Sequence, residues 1–199
     1  ARKTAAILYI IYMGLTAIET VFLLCGGMSF YDAMLHAFAT AGTGGFSTRG
    51  AGIAAFDSLY IEVVISVFML LFAVNFNLYF LLHMGRVRDV LKNQELRCFG
   101  VFVAFSMLTV AWNISGQYGG FAEALRYSSF TVASLVSSTG FGTADFTQWP
   151  QYSQWLLVII MFVGACAGST GGGLKLSRVM MLLKAAFSDM RRVIWPRRV

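Results

Sequence analysis

The sequence predicts an all-α integral membrane protein made of two similar units, each with a span, a short helix and a second span. Three observations support this fold class. The chain of 199 residues has a mean hydropathy of +0.71 and only 12% charged residues, whereas a soluble domain carries about 25%. Its apolar runs approach the length of about 20 residues that crosses a bilayer. A short glycine-rich motif also occurs twice, 95 residues apart.

The apolar runs set the order of the elements. Each unit begins and ends with such a run, and the amphipathic segment between them is too short to cross, so we expect a half-membrane helix there. The spans are Ala5 to Cys25, Leu59 to Met84, Cys98 to Ile114 and one beginning with Trp155 to Ala167; the short helices are Ser29 to Thr40 and Phe121 to Ser137. A charged linker, Gly85 to Arg97, joins the units, which we assign to residues 1–88 and 89–199.

The basic residues predict the orientation of the chain. The net charge is +6, but 13 of the 15 Lys and Arg residues fall in three patches that alternate with the segments carrying the repeated motif. Because basic loops stay in the cytoplasm, we expect these patches inside, both motifs facing outward, and no nucleic-acid surface. The patches are Arg2 and Lys3; Arg86, Arg88, Lys92 and Arg97; and Lys175, Arg178, Lys184, Arg191, Arg192, Arg197 and Arg198.

Each short helix carries an acidic residue in its predicted first turn, Asp32 in one and Glu123 in the other. Carboxylates are favoured at the positive N-terminal end of a helix dipole, so helix capping is the main role that we expect for them. The C-terminal ends then direct their negative dipole toward the repeated motif, where it favours a cation.

The repeated motif consists of a hydroxyl residue, a variable residue, a glycine and an aromatic residue. Glycine permits dihedrals in which successive carbonyls point the same way, and such carbonyls can replace the hydration shell of a cation. Close helix packing is the other common use of glycine in membranes, but repetition after two short helices favours an ion pathway. The predicted ligand segments are Thr43, Gly44, Gly45 and Phe46, and Ser138, Thr139, Gly140 and Phe141.

A third glycine cluster interrupts the last apolar run. Gly168 and Gly173 have the spacing of a phosphate-binding loop, but Leu174 stands where the lysine is needed and no strand is predicted before it. Two interpretations remain, a kinked packing helix and a flexible gate that crosses below the repeated motif and blocks or clears the path. We favour the gate, with residues Gly164, Gly168, Ser169, Thr170, Gly171, Gly172 and Gly173.

The remaining polar residues give weaker signals. Asn75 and Asn77 lie within the second apolar run, where polar side chains face protein or water; they either line a cavity or hydrogen-bond a neighbouring helix. Glu62 is expected near the membrane interface or buried with a partner. His36 has no metal-binding constellation around it in the sequence, and no catalytic set is visible. The sequence therefore predicts a protein that is not an enzyme and has no covalent cofactor.

Together these stretches resemble the bacterial Trk/Ktr potassium-uptake family, specifically its TrkH-type membrane subunit. The resemblance rests on residues 36–48, 137–141 and 164–178. It implies four span–pore-helix–span units around one pore, a pseudo-fourfold potassium-channel-like fold in which this chain is similar to the middle two units. The repeated motif would form two quarters of a selectivity filter, and the third glycine cluster would be the intramembrane gate.

The resemblance also implies potassium as the transported ion, bound at Thr43, Gly44, Ser138 and Thr139. It implies uptake across the bacterial inner membrane. The implied partners are the remaining two repeats of the same protein, a second copy, membrane lipid and a cytosolic nucleotide-binding regulatory subunit. Two alternatives stay open: a less selective Na⁺/K⁺ pathway, because the two segments share a single glycine position, and a membrane scaffold that transports nothing.

Overall fold

The computed structural model describes residues 2–194, and nearly all of its regular structure is helical. The predicted basic residues Arg197 and Arg198 lie outside the described residues, as do the side chains of Arg2, Lys3 and Arg192. The elements are α1 (Arg2–Cys25), α2 (Phe30–Ala41), α3 (Leu59–Ala73), α4 (Phe76–His83), α5 (Val87–Lys92), α6 (Gln94–Ile114), α7 (Phe121–Val136), α8 (Gln151–Phe162), β1 (Val163–Gly164), β2 (Leu174–Lys175) and α9 (Leu176–Ile194), with short 3₁₀ turns at Gly52–Phe56 and Phe146–Gln148.

Two helices in the described part of the chain are long and apolar enough to cross a bilayer, as expected for an integral membrane protein. They are Ala5–Cys25 within α1 and Gln94–Ile114, and the bent pair α3 and α4 gives a third crossing if it is counted as one span. The two short helices lie within one or two residues of their predicted positions. Ser29 caps α2 because its hydroxyl accepts the N–H of Asp32 at 3.1 Å, which fixes where that helix begins.

The second predicted span, Leu59 to Met84, is not one helix. It bends by 89° between α3 and α4. Asn75 causes the new start, because its backbone is extended and its side chain accepts the N–H of Asn77 at 2.9 Å, as a helix cap does. The N–H of Phe76 then donates to the carbonyl of Gly168 at 3.0 Å, so the glycine-rich segment satisfies a backbone group at the break.

Two further boundaries differ from the sequence prediction. The third span begins at Gln94 rather than Cys98, and the linker before it contains the short helix α5. The last run leaves the helix at Phe162, and β1 pairs with β2 as a two-residue parallel ladder. The sequence prediction contained no strand, and this short ladder closes the base of the glycine-rich segment within an otherwise helical fold.

The buried apolar residues form two clusters, each drawn mainly from one half of the chain, with Phe130, Ala133 and Phe141 joining the first and Ala73 the second. The first joins α1, α2 and α3 around residues such as Leu23 and Phe72, and the second joins α6, α7 and α8 around residues such as Leu157 and Ile160. Helices α3 and α7 pack together where the halves meet. There the guanidinium of Arg126 donates twice to the Glu62 carboxylate, at 2.6 and 2.8 Å, so the expectation of a partner for Glu62 is met.

Candidate functional site

The two copies of the repeated motif lie side by side. Each follows the C-terminal end of a short helix, α2 for the first segment (residues 43–46) and α7 for the second segment (residues 138–141). A methyl group placed on Gly45 would overlap the carbonyl oxygen of Thr139 and lie 3.1 Å from the carbonyl carbon of Gly140. Only a residue without a side chain therefore allows this approach.

The two segments share an alternating backbone conformation. Thr43 and Gly45 have φ of 50° and 66°, and the corresponding Ser138 and Gly140 have φ of 61° and 87°. Left-handed backbone is uncommon outside glycine, and Thr43 and Ser138 are two of the three non-glycine examples in residues 2–194. Alternation of positive and negative φ can turn successive carbonyls toward one side, which is the arrangement that cation coordination by main-chain oxygens needs.

Side chains of its own helix hold the second segment. The hydroxyl of Ser134 donates to the carbonyl of Phe141 at 2.7 Å, and the hydroxyls of Ser137 and Thr139 lie 2.7 Å apart. The N–H of Thr139 donates to the carbonyl of Ser134 at 2.9 Å. Thr139 is buried and its hydroxyl is bonded within the protein, while its carbonyl oxygen packs against Gly45 of the first segment.

His36 of α2 connects the first segment with the second. Its Nδ1 lies 2.7 Å from the carbonyl of Asp32 and its Nε2 lies 2.9 Å from the Ser47 hydroxyl. A carbonyl only accepts, so Nδ1 carries the proton and Nε2 accepts from Ser47. The buried ring also stacks on Phe141 at a centroid distance of 5.9 Å. One side chain thus fixes the outer end of one segment and the aromatic residue of the other.

The predicted gate forms a loop (residues 165–173) that docks on the break between α3 and α4. The N–H of Cys166 donates to the carbonyl of Ala73 at 3.0 Å, and the N–H of Thr170 donates to that of Phe72 at 3.3 Å. A methyl group on Gly168 would lie 3.0 Å from the side-chain oxygen of Asn75. The loop and the bend therefore complete each other's backbone hydrogen bonds.

The loop also touches the first residue of each segment. A methyl group on Gly171 would lie 2.9 Å from the carbonyl oxygen of Ser137, and one on Gly172 would lie 3.6 Å from the hydroxyl of Ser138. On the other side, the Thr43 hydroxyl lies 3.5 Å from the carbonyl of Thr170. The loop thus lies next to both segments, with a hydrogen bond to the first and close glycine packing at the start of the second.

Two charged side chains hold the loop by its main chain. The carboxylate of Glu95, in the first turn of α6, accepts the N–H of Ala167 at 2.7 Å. The ammonium of Lys175 donates to the carbonyl of Gly171. The sequence did not reveal these roles of Glu95 and His36, because Ala167 and Phe141 are remote from them in the chain. It did not reveal the role of Ser134 because no motif marks a bond to Phe141, seven residues further on.

The remaining polar residues near the two segments make mostly local hydrogen bonds. Glu123 accepts the N–H of Gly119 at 2.9 Å, next to the start of α7, and Asn75 caps α4 while Asn77 is exposed. Asp145, in the loop after the second segment, accepts from the hydroxyl and N–H of Thr147 and from the Gln148 side chain. These bonds stabilise the charged form and hold the pKa of Asp145 below its usual range.

Comparison with known proteins gives one consistent family. The sequence model described as TrkH, a cation transport protein, matches residues 1–199. The chain is 36% identical to the Trk system potassium uptake protein TrkH of Halomonas elongata, over 98% of this chain and 41% of the relative. It is also 36% identical to the protein of that name from Escherichia coli K12, over 99% of this chain and 41% of the relative.

The crystal structure of the potassium transporter TrkH from Vibrio parahaemolyticus matches with a TM-score of 0.93 at 33% identity, over 100% of this chain and 43% of that one. The chain therefore spans less than half the length of the relatives that it matches. The predicted resemblance to the Trk/Ktr family is confirmed by these matches, and the chain belongs to the TrkH family of cation transport proteins.

Proposed function

We propose that this chain forms part of a pathway for potassium uptake, in which carbonyl oxygens of the two segments coordinate a dehydrated K⁺. The observation that carries the proposal is the pairing of two adjacent segments with the same alternation of φ at Thr43, Gly45, Ser138 and Gly140. Carbonyls aligned in this way replace water around an ion. The ligands would be the carbonyls of Thr43, Gly44, Ser138 and Thr139.

The short helices add electrostatic support to this site. Helices α2 and α7 both end next to a segment, so the negative ends of their dipoles favour a cation there. With the basic patches in the cytoplasm, the membrane potential of a bacterial inner membrane drives the ion inward by about 2.3 kcal/mol per charge per 100 mV. No bond is made or broken in this process.

The loop at residues 165–173 is the proposed gate. Its contacts with Ser137, Ser138 and Thr43 support a position just below the proposed ion site. Its docking on the break between α3 and α4 is made of individual hydrogen bonds and not of a packed helix. Such a segment can move without unfolding its neighbours, as a gate must. The packing interpretation predicts that loop residues have no effect on flux.

The proposed assembly is a pseudo-fourfold ring of span–pore-helix–span units. Residues 1–88 and 89–199 would supply the middle two, and the remaining two repeats would come from the rest of the protein. This is consistent with relatives more than twice as long as the chain. By resemblance, the complete protein would form a homodimer and bind a cytosolic nucleotide-binding regulatory subunit.

Ion selectivity of the complete protein tests the proposed site. We expect K⁺ to permeate in preference to Na⁺ in proteoliposomes, and Gly45→Ser to reduce that preference because the added side chain meets Thr139. Equal K⁺ and Na⁺ permeability in the unmodified protein would favour the less selective pathway. Normal selectivity in the assembled Gly45→Ser variant would show that these glycines serve only packing, and absence of ion flux in the unmodified protein would favour the scaffold.

Removal of part of the loop tests the proposed gate. We expect deletion of residues 171–173 to raise K⁺ flux, because the segment that contacts Ser137 and Ser138 is then gone. The matched control is Gly116→Ala, which lies in a turn with no atom within 4 Å of the added methyl group. Unchanged flux in a deletion variant that assembles normally would contradict the gate while leaving the ion site intact.

A further inference from the structure

An apolar groove follows the line where the two halves of the chain meet. It has a volume of about 220 Å³ and lies between α3, α6 and α7. The floor is made by Met107 and Phe130, and one wall by Val63, Val67 and Leu70 of α3. Val63 and Val67 are 51% and 47% exposed, so the groove is open on one side of this chain, and we infer from its apolar walls that this side faces the membrane.

The length of the groove matches one leaflet. Its α3 residues run from Leu59 to Leu70 at helical spacing along one face. Eleven steps of about 1.5 Å give about 16 Å along the helix axis. Half of a hydrocarbon core of about 30 Å is about 15 Å. The groove is therefore as long as the acyl chain region of one leaflet.

A charged pair closes the end of the groove near Leu59. Arg126 donates from Nε and Nη2 to the carboxylate of Glu62, which uses two of the five N–H groups of the guanidinium. Its third nitrogen, Nη1, donates to no acceptor in the described part of the chain. The side chain is 27% exposed, so the unused N–H groups are accessible at the level where an acyl chain would meet its headgroup.

We propose that this groove binds one phospholipid, with an acyl chain between α3 and α7 and the phosphate accepting hydrogen bonds from Arg126. Apolar walls fit the chain, and unused guanidinium donors fit a phosphate, which Arg binds well. Because Glu62 balances the charge of Arg126, the site recognises the phosphate that all phospholipids share and does not select a net anionic headgroup. With the orientation proposed above, the lipid belongs to the outer leaflet.

The groove also reaches the helix that supports the second segment. Ser129 and Phe130 line it, and one turn further along α7 the hydroxyl of Ser134 holds the carbonyl of Phe141. A bound acyl chain therefore packs against α7 about one turn from the hydroxyl that holds the second segment.

Native mass spectrometry of the complete protein tests the proposal. The probes are phosphatidylglycerol, phosphatidylcholine and diacylglycerol, with Ser66→Phe filling the groove and Val101→Phe as the control on an exposed face of α6 outside it. We expect Ser66→Phe to retain one phospholipid fewer than the unmodified protein, with either headgroup. Val101→Phe should lose none, and diacylglycerol should not occupy the site.

A second variant keeps the test decisive if Ser66→Phe fails to assemble. Replacing both partners, Glu62→Gln with Arg126→Gln, leaves no unpaired buried charge and should remove the preference for phospholipid over diacylglycerol. An unchanged number of phospholipids in Ser66→Phe, or an unchanged preference for phospholipid over diacylglycerol in the double variant, would overturn the proposal. So would occupation of the groove by a second copy of the chain, detected as a disulfide between protomers carrying Val67→Cys.

Discussion

The aromatic residues of the two segments occupy the same motif position but different surroundings. Phe141 is 5% exposed and stacks on His36 of the preceding short helix, whereas Phe46 is 81% exposed. In the proposed ring, each aromatic residue packs on the short helix of the unit before it. Phe46 would then face the unit that precedes these two in the proposed ring. Within this chain, the two copies of the motif agree in backbone conformation and differ in packing.

The glycines of the two segments differ in the same way. Both Gly45 and Gly140 have positive φ, but a methyl group on Gly45 would overlap the Thr139 carbonyl while one on Gly140 would meet no atom within 4 Å. Gly45 is therefore constrained by both conformation and contact, and Gly140 within this chain by conformation alone. In the proposed ring, Gly140 would gain its contact from the following unit.

The largest effect is expected from Gly45→Ala. The strained φ of an alanine at this position costs about 1 kcal/mol of folding stability. The overlap with Thr139 also forces the two segments apart. K⁺ selectivity should therefore be lost in ion flux measurements on the complete protein. Gly140→Ala in the isolated segment 1–199 should cost only the strain, measured as a smaller fall in melting temperature. Equal destabilisation of that segment by both variants would contradict the difference in packing.

The next largest effects are expected from His36 and Ser134, whose side chains support the two segments. His36→Ala removes two hydrogen bonds and the stacking contact with Phe141, an expected loss of about 2–3 kcal/mol. Ser134→Ala leaves the buried Phe141 carbonyl without its donor and should cost about 1–3 kcal/mol. Because His36 bonds to Ser47 and Ser134 does not, His36→Ala should perturb the first segment more than Ser134→Ala does. Hydrogen exchange of residues 43–48 measures this difference, and equal exchange in both variants would argue against it.

The sequence predicted the helices whose signals are local and missed the features whose partners are remote. Ser29 and Asp32 marked the start of α2, and glycines in a repeated motif marked both segments. The break at Asn75 was missed because the N–H of Phe76 is satisfied by Gly168, far along the chain. The β1–β2 ladder and the role of His36 likewise depend on folded contacts, so no spacing in the sequence could reveal them.

The loop also contacts the two segments differently, and we expect smaller effects on K⁺ flux from changes to these contacts. Gly171→Ala places a methyl group 2.9 Å from the Ser137 carbonyl and 2.7 Å from the Ala165 side chain, so the loop must shift away from the second segment. Thr43→Val removes only a 3.5 Å contact from the first segment and should change stability by less than about 0.5 kcal/mol. We expect altered K⁺ flux for Gly171→Ala and near-normal flux for Thr43→Val. The reverse order would show that the loop is held mainly by the first segment.

The smallest effect on K⁺ flux is expected from residues just beyond the outer ends of the two segments. Asp145 follows the second segment, and Gly50 stands at the corresponding position after the first. Because hydrogen bonds lower the pKa of Asp145, its carboxylate stays charged as the pH falls from 7 to 5, and its contribution is lost only when the pH falls through that lowered value.

Asp145→Asn should therefore reduce K⁺ flux slightly at low ionic strength, equally at pH 7 and pH 5. The effect should disappear near 0.15 M salt, where the screening length is about 8 Å. A reduction that appears only at pH 7 would show that the carboxylate is protonated by pH 5, contrary to its hydrogen bonding.

Anomalous diffraction from crystals of the complete protein soaked in Tl⁺ or Rb⁺ is the sharpest test of ion coordination by the two segments. We expect ion peaks at coordination distance from the main-chain oxygens of Thr43, Gly44, Ser138 and Thr139. Peaks confined to other sites, with these oxygens directed away from any shared aqueous path, would contradict it.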